Sequence, residues 1–314
     1  MMKTIKLSLF LSGILLLCAS WGFYAHKKIN ETAVFLLPTE MSAFYKPHIT
    51  TITERATDAD KRCYVDTAEA PRHYIDLDRY GQEADSIPIH WSKAKEKYTE
   101  RKLLLTGIVP WQIWRSYQSL VQAFTKKDIS LIIKHSADIG HYIADAHVPL
   151  HTTSNYNGQQ TNQVGIHAFW ETRLPEMFIT QYDLFIGPAI YIHDPLEQGW
   201  KIVKESHALV DSVLNIEKSL SVQFKETERK TYLTRNNQLV LSYSDKYTNA
   251  YHEALDGMVE RRLRASILQV ASYWYSAWID AGQPRLTDFS LQSMAVEEPI
   301  PYEGQKPLGR EEWH

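Results

Sequence analysis

Cysteine is scarce in this sequence: Cys18 and Cys63 are the two in 314 residues. A disulfide framework of the kind that staples small exported domains is therefore excluded. Charge of one sign is also lacking. With 34 Lys and Arg against 37 Asp and Glu, the formal charge is −3, so a long nucleic-acid backbone is not advertised by net charge. Internal repeats and low-complexity tracts are absent, which argues against a solenoid or a disordered chain. Runs that alternate apolar and polar residues are scarce, which argues against a β architecture. What remains is a 44% apolar composition, enough for one large folded domain with a real core.

The longest apolar run, Leu7 to Leu17, is too short to span a bilayer comfortably. It follows Lys3 and Lys6 and precedes Cys18-Ala19-Ser20, the pattern of a secretory signal peptide over residues 1–20. Leu17 is bulky where lipoprotein processing wants a small residue. Cleavage after Ser20 is expected, with Trp21 as the mature N-terminus and a periplasmic or secreted destination. The processed chain would keep Cys63 alone and could form no intramolecular disulfide. Metal is then a candidate for the missing cross-links.

The pattern predicts an all-α fold in a single domain, residues 21–284, followed by a loosely held tail, 285–314, with three prolines and many charges. Apolar residues recur at helical spacing over Trp111 to Phe124 and over Ala250 to Ile279. Shorter helical stretches are expected at Ile29 to Leu37 and Ile49 to Ala56, and a longer one at Leu196 to Leu214. Asp128 is placed to cap a helix that runs to about Ala146 and ends before Pro149.

That helix carries the chemistry. In HYIADAHVPLH, His141 and Asp145 are four residues apart and so share a helix face. His151 lies just past the break at Pro149, and GIHAFWE repeats the four-residue spacing with His167 and Glu171. A lone helical histidine is usually a core or surface residue. Two such pairs and an extra histidine within 31 residues point instead to metal ligands. Upstream, RHYID supplies His73, and ATDADKR offers Asp58 or Asp60. WGFYAH would supply His26 and, after cleavage, the free α-amine of Trp21, whose pKa near ~7.7–8.0 allows it to bind metal. His147 is read as a group that supports the ligands or the core, and His135 as exposed.

These segments together resemble the superfamily that joins bacterial zinc-dependent phospholipases C to single-strand-specific zinc nucleases. The resemblance covers Trp21 to about Pro175, with a looser helical match to about residue 283. It implies an all-helical enzyme with three zinc ions per chain. Carried over by position, Asp58, His73, His141 and Asp145 would bind the first ion. His151, His167 and Glu171 would bind the second, and Trp21, His26 and bridging Asp145 the third.

The resemblance also implies a zinc-bound hydroxide attacking a phosphodiester, with Asp58 accepting or orienting its proton. Three dications carry +6 against −3 from Asp58, Asp145 and Glu171, so the cavity would favour an anion. The nucleases place a phosphate-binding arginine three residues after the first aspartate. Lys61 stands there in this chain, with Arg62 beside it. Tyr74 and Asp76 match the positions that hold a base in the nucleases, whereas the His167–Glu171 pair matches the phospholipases. The expected substrate is single-stranded nucleic acid or a nucleotide, with a phospholipid headgroup as the alternative. A zinc-stabilised binding protein is a third and weaker reading. No stable protein partner is evident, and a monomer is expected.

Overall fold

The computed structural model describes residues 22–289, apart from 236 and 237. The chain opens with α1 (Phe23–Ala33), α2 (Thr39–Tyr45), α3 (Ile49–Arg55) and the short α4 (Asp58–Arg62). An irregular stretch leads to α5 (Trp91–Tyr98) and α6 (Glu100–Thr106), and then to two long neighbours, α7 (Val109–Lys126) and α8 (Ile129–His147). Next, α9 (Ile166–Ala168), a π-helical segment at Phe169–Arg173 and α10 (Leu174–Phe178) run on without a break. After α11 (Pro195–His207), α12 (Val210–Ser221) and α13 (Glu226–Arg229) comes an antiparallel hairpin, β1 (Lys230–Arg235) and β2 (Gln238–Tyr243). The last elements are α14 (Asp245–Ala254) and α15 (Met258–Asp280). The fold is all-α in one domain, as the helical periodicity predicts, with the hairpin as an addition.

Asp128 caps α8 as expected, its Oδ1 accepting from the Leu131 amide at 3.1 Å. Two expected helices are instead divided. The 196–214 stretch breaks at Ala208–Leu209. The 250–279 stretch breaks where Asp256 and Gly257 adopt positive φ, a conformation that ends one helix and starts the next. The hairpin carries apolar residues on both faces, which blurs the alternation that marks a strand.

The core lies where α1, α7, α8, α11 and α15 pack together. Trp274 of α15 is fully buried, stacks on Tyr45 at 5.0 Å and donates from Nε1 to the Ser136 carbonyl at 3.0 Å. Truncating such a side chain costs roughly 3–5 kcal/mol. Farther along, every residue of α8 from Ser136 to His147 is buried. Polar groups enclosed there need partners, because unpaired burial is expensive.

Two glycines bring the partners close. A Cβ at Gly140 would stand 2.0 Å from Asn30 Oδ1, so α1 can approach α8 only because that position has no side chain. His26, one turn before Asn30, then stacks on His141 with ring centroids 4.1 Å apart. At Gly107, φ is +88° and a Cβ would meet the Tyr74 carbonyl oxygen at 2.2 Å. The segment His73–Asp76 is held against this turn by bonds from Val109 N to Tyr74 O and Asp76 N to Thr106 O. On its other side Ile75 N donates to His151 O. Near the end of the described chain, Leu286 is buried and the Phe289 ring lies against Phe44, so the first residues of the expected tail pack on the domain.

Candidate metal centre

Three groups of buried side chains converge in the enclosed half of α8: Asp60 with His73 and His141, His26 with His141 and Asp145, and His151 with His167 and Glu171. They form one continuous cluster. His141 Nε2 lies 3.2 Å from Asp60 Oδ1, 3.2 Å from Asp145 Oδ2 and 3.0 Å from His73 Nδ1. His73 Nδ1 is also 2.9 Å from Asp145 Oδ2. The other oxygen of Asp145 points to His26 Nε2 at 3.3 Å, and His26 Nε2 is equally far from Glu171 Oε1. Glu171 Oε2 then faces His151 Nε2 at 3.2 Å and His167 Nε2 at 2.7 Å. Asp145 and Glu171 each have one oxygen in either neighbouring group, the geometry of a bridging carboxylate.

The donor set fits divalent cations. His141 Nδ1 lies 2.8 Å from the Ala56 carbonyl, and His151 Nδ1 lies 2.8 Å from the His73 carbonyl. A carbonyl only accepts, so Nδ1 carries a proton and Nε2 is the atom turned to the cluster, where the neutral form of the ring would bind a metal. These ring nitrogens face carboxylates and, at His73, another imidazole nitrogen. Asp145 Oδ1 and Glu171 Oε1 are buried and accept no hydrogen bond. Metal bonds of about 2.0–2.2 Å put ligand atoms roughly 3–3.6 Å apart, close to the spacings seen here. Mixed imidazole and carboxylate donors suit zinc and its transition-metal neighbours.

The electrostatics agree with a demand for positive charge. Burial alone would lower the pKa of His141, yet Asp145 and Asp60 hold it well above the usual imidazole range. Burial would raise the carboxyls of Asp145 and Glu171. The surrounding histidines, His141 and His151 at Asp145 and His151 at Glu171, hold both well below their usual range. A cation shared by these groups supplies the same charge.

Asp60 takes the place expected for Asp58. Asp58 lies partly exposed, accepting from Arg55 Nε and Lys61 Nζ at 3.1 Å each, whereas Asp60 is buried against the histidines. Residues two apart on a helix point to nearly opposite sides, so only one can face α8. Lys61 is exposed in its ion pair with Asp58 and does not reach the cluster. Arg62 is held by Asp138 at 3.0 Å and by the Tyr142 hydroxyl at 3.1 Å. Tyr74 is fully buried and Asp76 nearly so, which leaves no ring face for a base at that position.

Trp21 lies outside the described residues. Gly22, next to it, is within reach of the cluster: a Cβ there would stand 3.6 Å from Glu171 Oε1. His147 turns away from the ligand set. Its Nδ1 donates to the Ile143 carbonyl at 2.7 Å, and burial, helped by Arg262, pushes its pKa well down. His135, expected to be exposed, is half-buried.

Glu69 lies outside the sequence motifs yet borders the site. It is fully buried and accepts from Arg62 and, more closely, from Arg72 and Tyr142. Its Oε1 lies 3.6 Å from His73 Nε2, on the outer edge of that ring. Burial raises its pKa, but His73, Arg62 and Arg72 prevail and hold it far below the usual carboxylate range. Its signal was present in sequence: Glu69 and His73 share the four-residue spacing of the other pairs. The π segment that carries Glu171 had no such signal. No protein-family model and no curated protein matches this chain.

Proposed function

We propose that the chain is an exported, zinc-dependent phosphodiester hydrolase with three zinc ions per molecule. The observation that supports this most is the continuity of the three donor groups through Asp145 and Glu171, each split between neighbours. A structural zinc usually has one closed set of four ligands, so a chain of shared carboxylates favours catalysis over simple stapling. Ions bound in this centre would supply Lewis acidity toward a phosphoryl oxygen and lower the pKa of a bound water.

The protein's own side chains hold and orient in this scheme. Backbone carbonyls of Ala56 and His73 fix the rings of His141 and His151, so that Nε2 is the ligating atom. Asp60, rather than Asp58, is the carboxylate beside His73 and His141, and it is the group available to accept a proton there. With Asp60, Asp145 and Glu171 as the three carboxylates, three dications leave a positive surplus that favours an anionic substrate.

The resemblance puts single-stranded nucleic acid or nucleotides first among diesters. Burial of Tyr74 removes the base-holding argument for that preference. A second reading, cleavage of phospholipid headgroups, is favoured by the exposed apolar hairpin beside the His167 segment. The deciding assay offers metal-loaded protein single-stranded DNA, RNA, 3′-nucleotides and phosphatidylcholine side by side. Hydrolysis of at least one, abolished by chelator and restored by zinc, is expected. Full metal content with no hydrolysis of any of them would overturn the enzyme reading.

A further inference from the structure

The hairpin carries a feature the metal centre does not explain. In its register Tyr232 pairs with Leu241 and Thr234 with Leu239, so Tyr232, Leu239 and Leu241 share one face. Their exposures are 68%, 57% for Leu241 and 73% for Leu239, unusual for large apolar side chains grouped on one surface. The base of the same face is firmly held. Tyr243 stacks on Phe169 at 3.7 Å, and Lys230 Nζ lies 3.1 Å from the Tyr243 ring centroid. Phe169 sits between His167 and Glu171 in the segment that supplies the second group of ligands. Val164, 65% exposed, precedes Gly165, where a Cβ would lie 3.3 Å from the Tyr243 hydroxyl. The apolar face thus continues to the edge of the metal centre.

We propose that this hairpin face docks on an anionic lipid surface and brings the metal centre to it. Area and charge select that occupant. A six-residue two-stranded face offers roughly 200 Å², far short of the ~800 Å² per partner of a stable protein interface. A second copy of the chain is therefore a poor fit. A bilayer sets no such threshold, because a few apolar side chains entering the headgroup boundary combine with nearby basic residues. From Lys218 to Lys246 the sequence has six Lys or Arg against three Asp or Glu, a local surplus of positive charge in a chain whose formal charge is −3. Among the described residues no helix is long and apolar enough to cross a membrane, so the hairpin would act as a surface contact. The docking surface stands whether or not the centre cleaves a diester.

The test is co-sedimentation of the full chain with vesicles of phosphatidylcholine alone and of phosphatidylcholine mixed with phosphatidylglycerol. Sedimentation equilibrium without lipid and binding to a single-stranded oligonucleotide run alongside. The expected result is partition onto the anionic vesicles that falls by roughly tenfold or more in Tyr232→Ser/Leu239→Ser/Leu241→Ser. Phe185→Ser, at an equally exposed ring outside the hairpin, should leave it unchanged, as should the metal content of both variants. No vesicle binding, or binding that survives the triple substitution, overturns the proposal. So does a dimer that the triple substitution converts to monomer, or oligonucleotide binding lost in place of vesicle binding.

Discussion

Two buried polar clusters meet at His73 and follow opposite plans. On its outer side Arg62, Arg72, Glu69, Asp138 and Tyr142 pair donors with acceptors, and guanidinium charge answers carboxylate charge. On its inner side imidazole nitrogens crowd against carboxylate oxygens and one another. The outer cluster is complete in protein atoms alone. The inner one gathers donors that could hold metal ions. Burial and hydrogen-bond distance do not separate the two; the chemical sense of each contact does.

The largest expected effects fall on the inner cluster. Chelation should lower the thermal midpoint by about 10 °C or more, since ions that bind only the folded state stabilise it by mass action. Zinc should restore it. Asp145→Asn should lose two ions together and cut hydrolysis by at least roughly a thousandfold. Retention of full metal and activity would show that Asp145 is not shared. Acid should act here as well, because each histidine must be neutral and each carboxylate ionised to hold metal. Metal and stability should fall together as pH drops from roughly 6 to 4.

The same comparison predicts a smaller, different effect outside. Glu69→Gln should leave the metal count unchanged and cost about 1–3 kcal/mol through the donors it leaves poorly paired. Its pH signature has a definite sign. The folded-state pKa of Glu69 is depressed, so its contribution is present above its unfolded pKa and is lost as pH falls toward the folded value. The variant should therefore lose less stability than the native chain on acidification, in urea titrations of protein whose metal has been removed. An unchanged acid slope would separate Glu69 from that role.

The smallest effect falls on one of two neighbouring carboxylates on α4. Asp60→Asn should lose metal, whereas Asp58→Asn should change stability by only about 0–1 kcal/mol, as for a surface ion pair. Metal analysis of the two variants checks this directly. Equal losses would mean that α4 can turn either carboxylate inward.

Spacing made most of the centre legible, since residues four apart on a helix must share a face. His141 with Asp145 and His167 with Glu171 needed nothing more. Spacing could not choose between Asp58 and Asp60, because the start of so short a helix sets which of them faces inward. Tyr74 departs from its expected role for a related reason. An aromatic ring beside a ligand can face a ligand pocket or the core, and the close approach of Gly107 fixes that segment against the core. Among the helices, breaks at Leu209 and Gly257 leave no mark in the sequence because apolar periodicity continues across them. The hairpin's two apolar faces hid it from any test for alternation.

The central claim is that the inner cluster is a three-ion centre, and one diffraction measurement tests it most directly. Crystals of the processed protein would be measured at photon energies just above and just below the zinc absorption edge. The account predicts three anomalous peaks that vanish below the edge: one among Asp60, His73 and His141, one at His26 and Asp145, and one among His151, His167 and Glu171. Ordinary hydrogen-bonded side chains with no anomalous density at these positions, in protein that has never met a chelator, would contradict it.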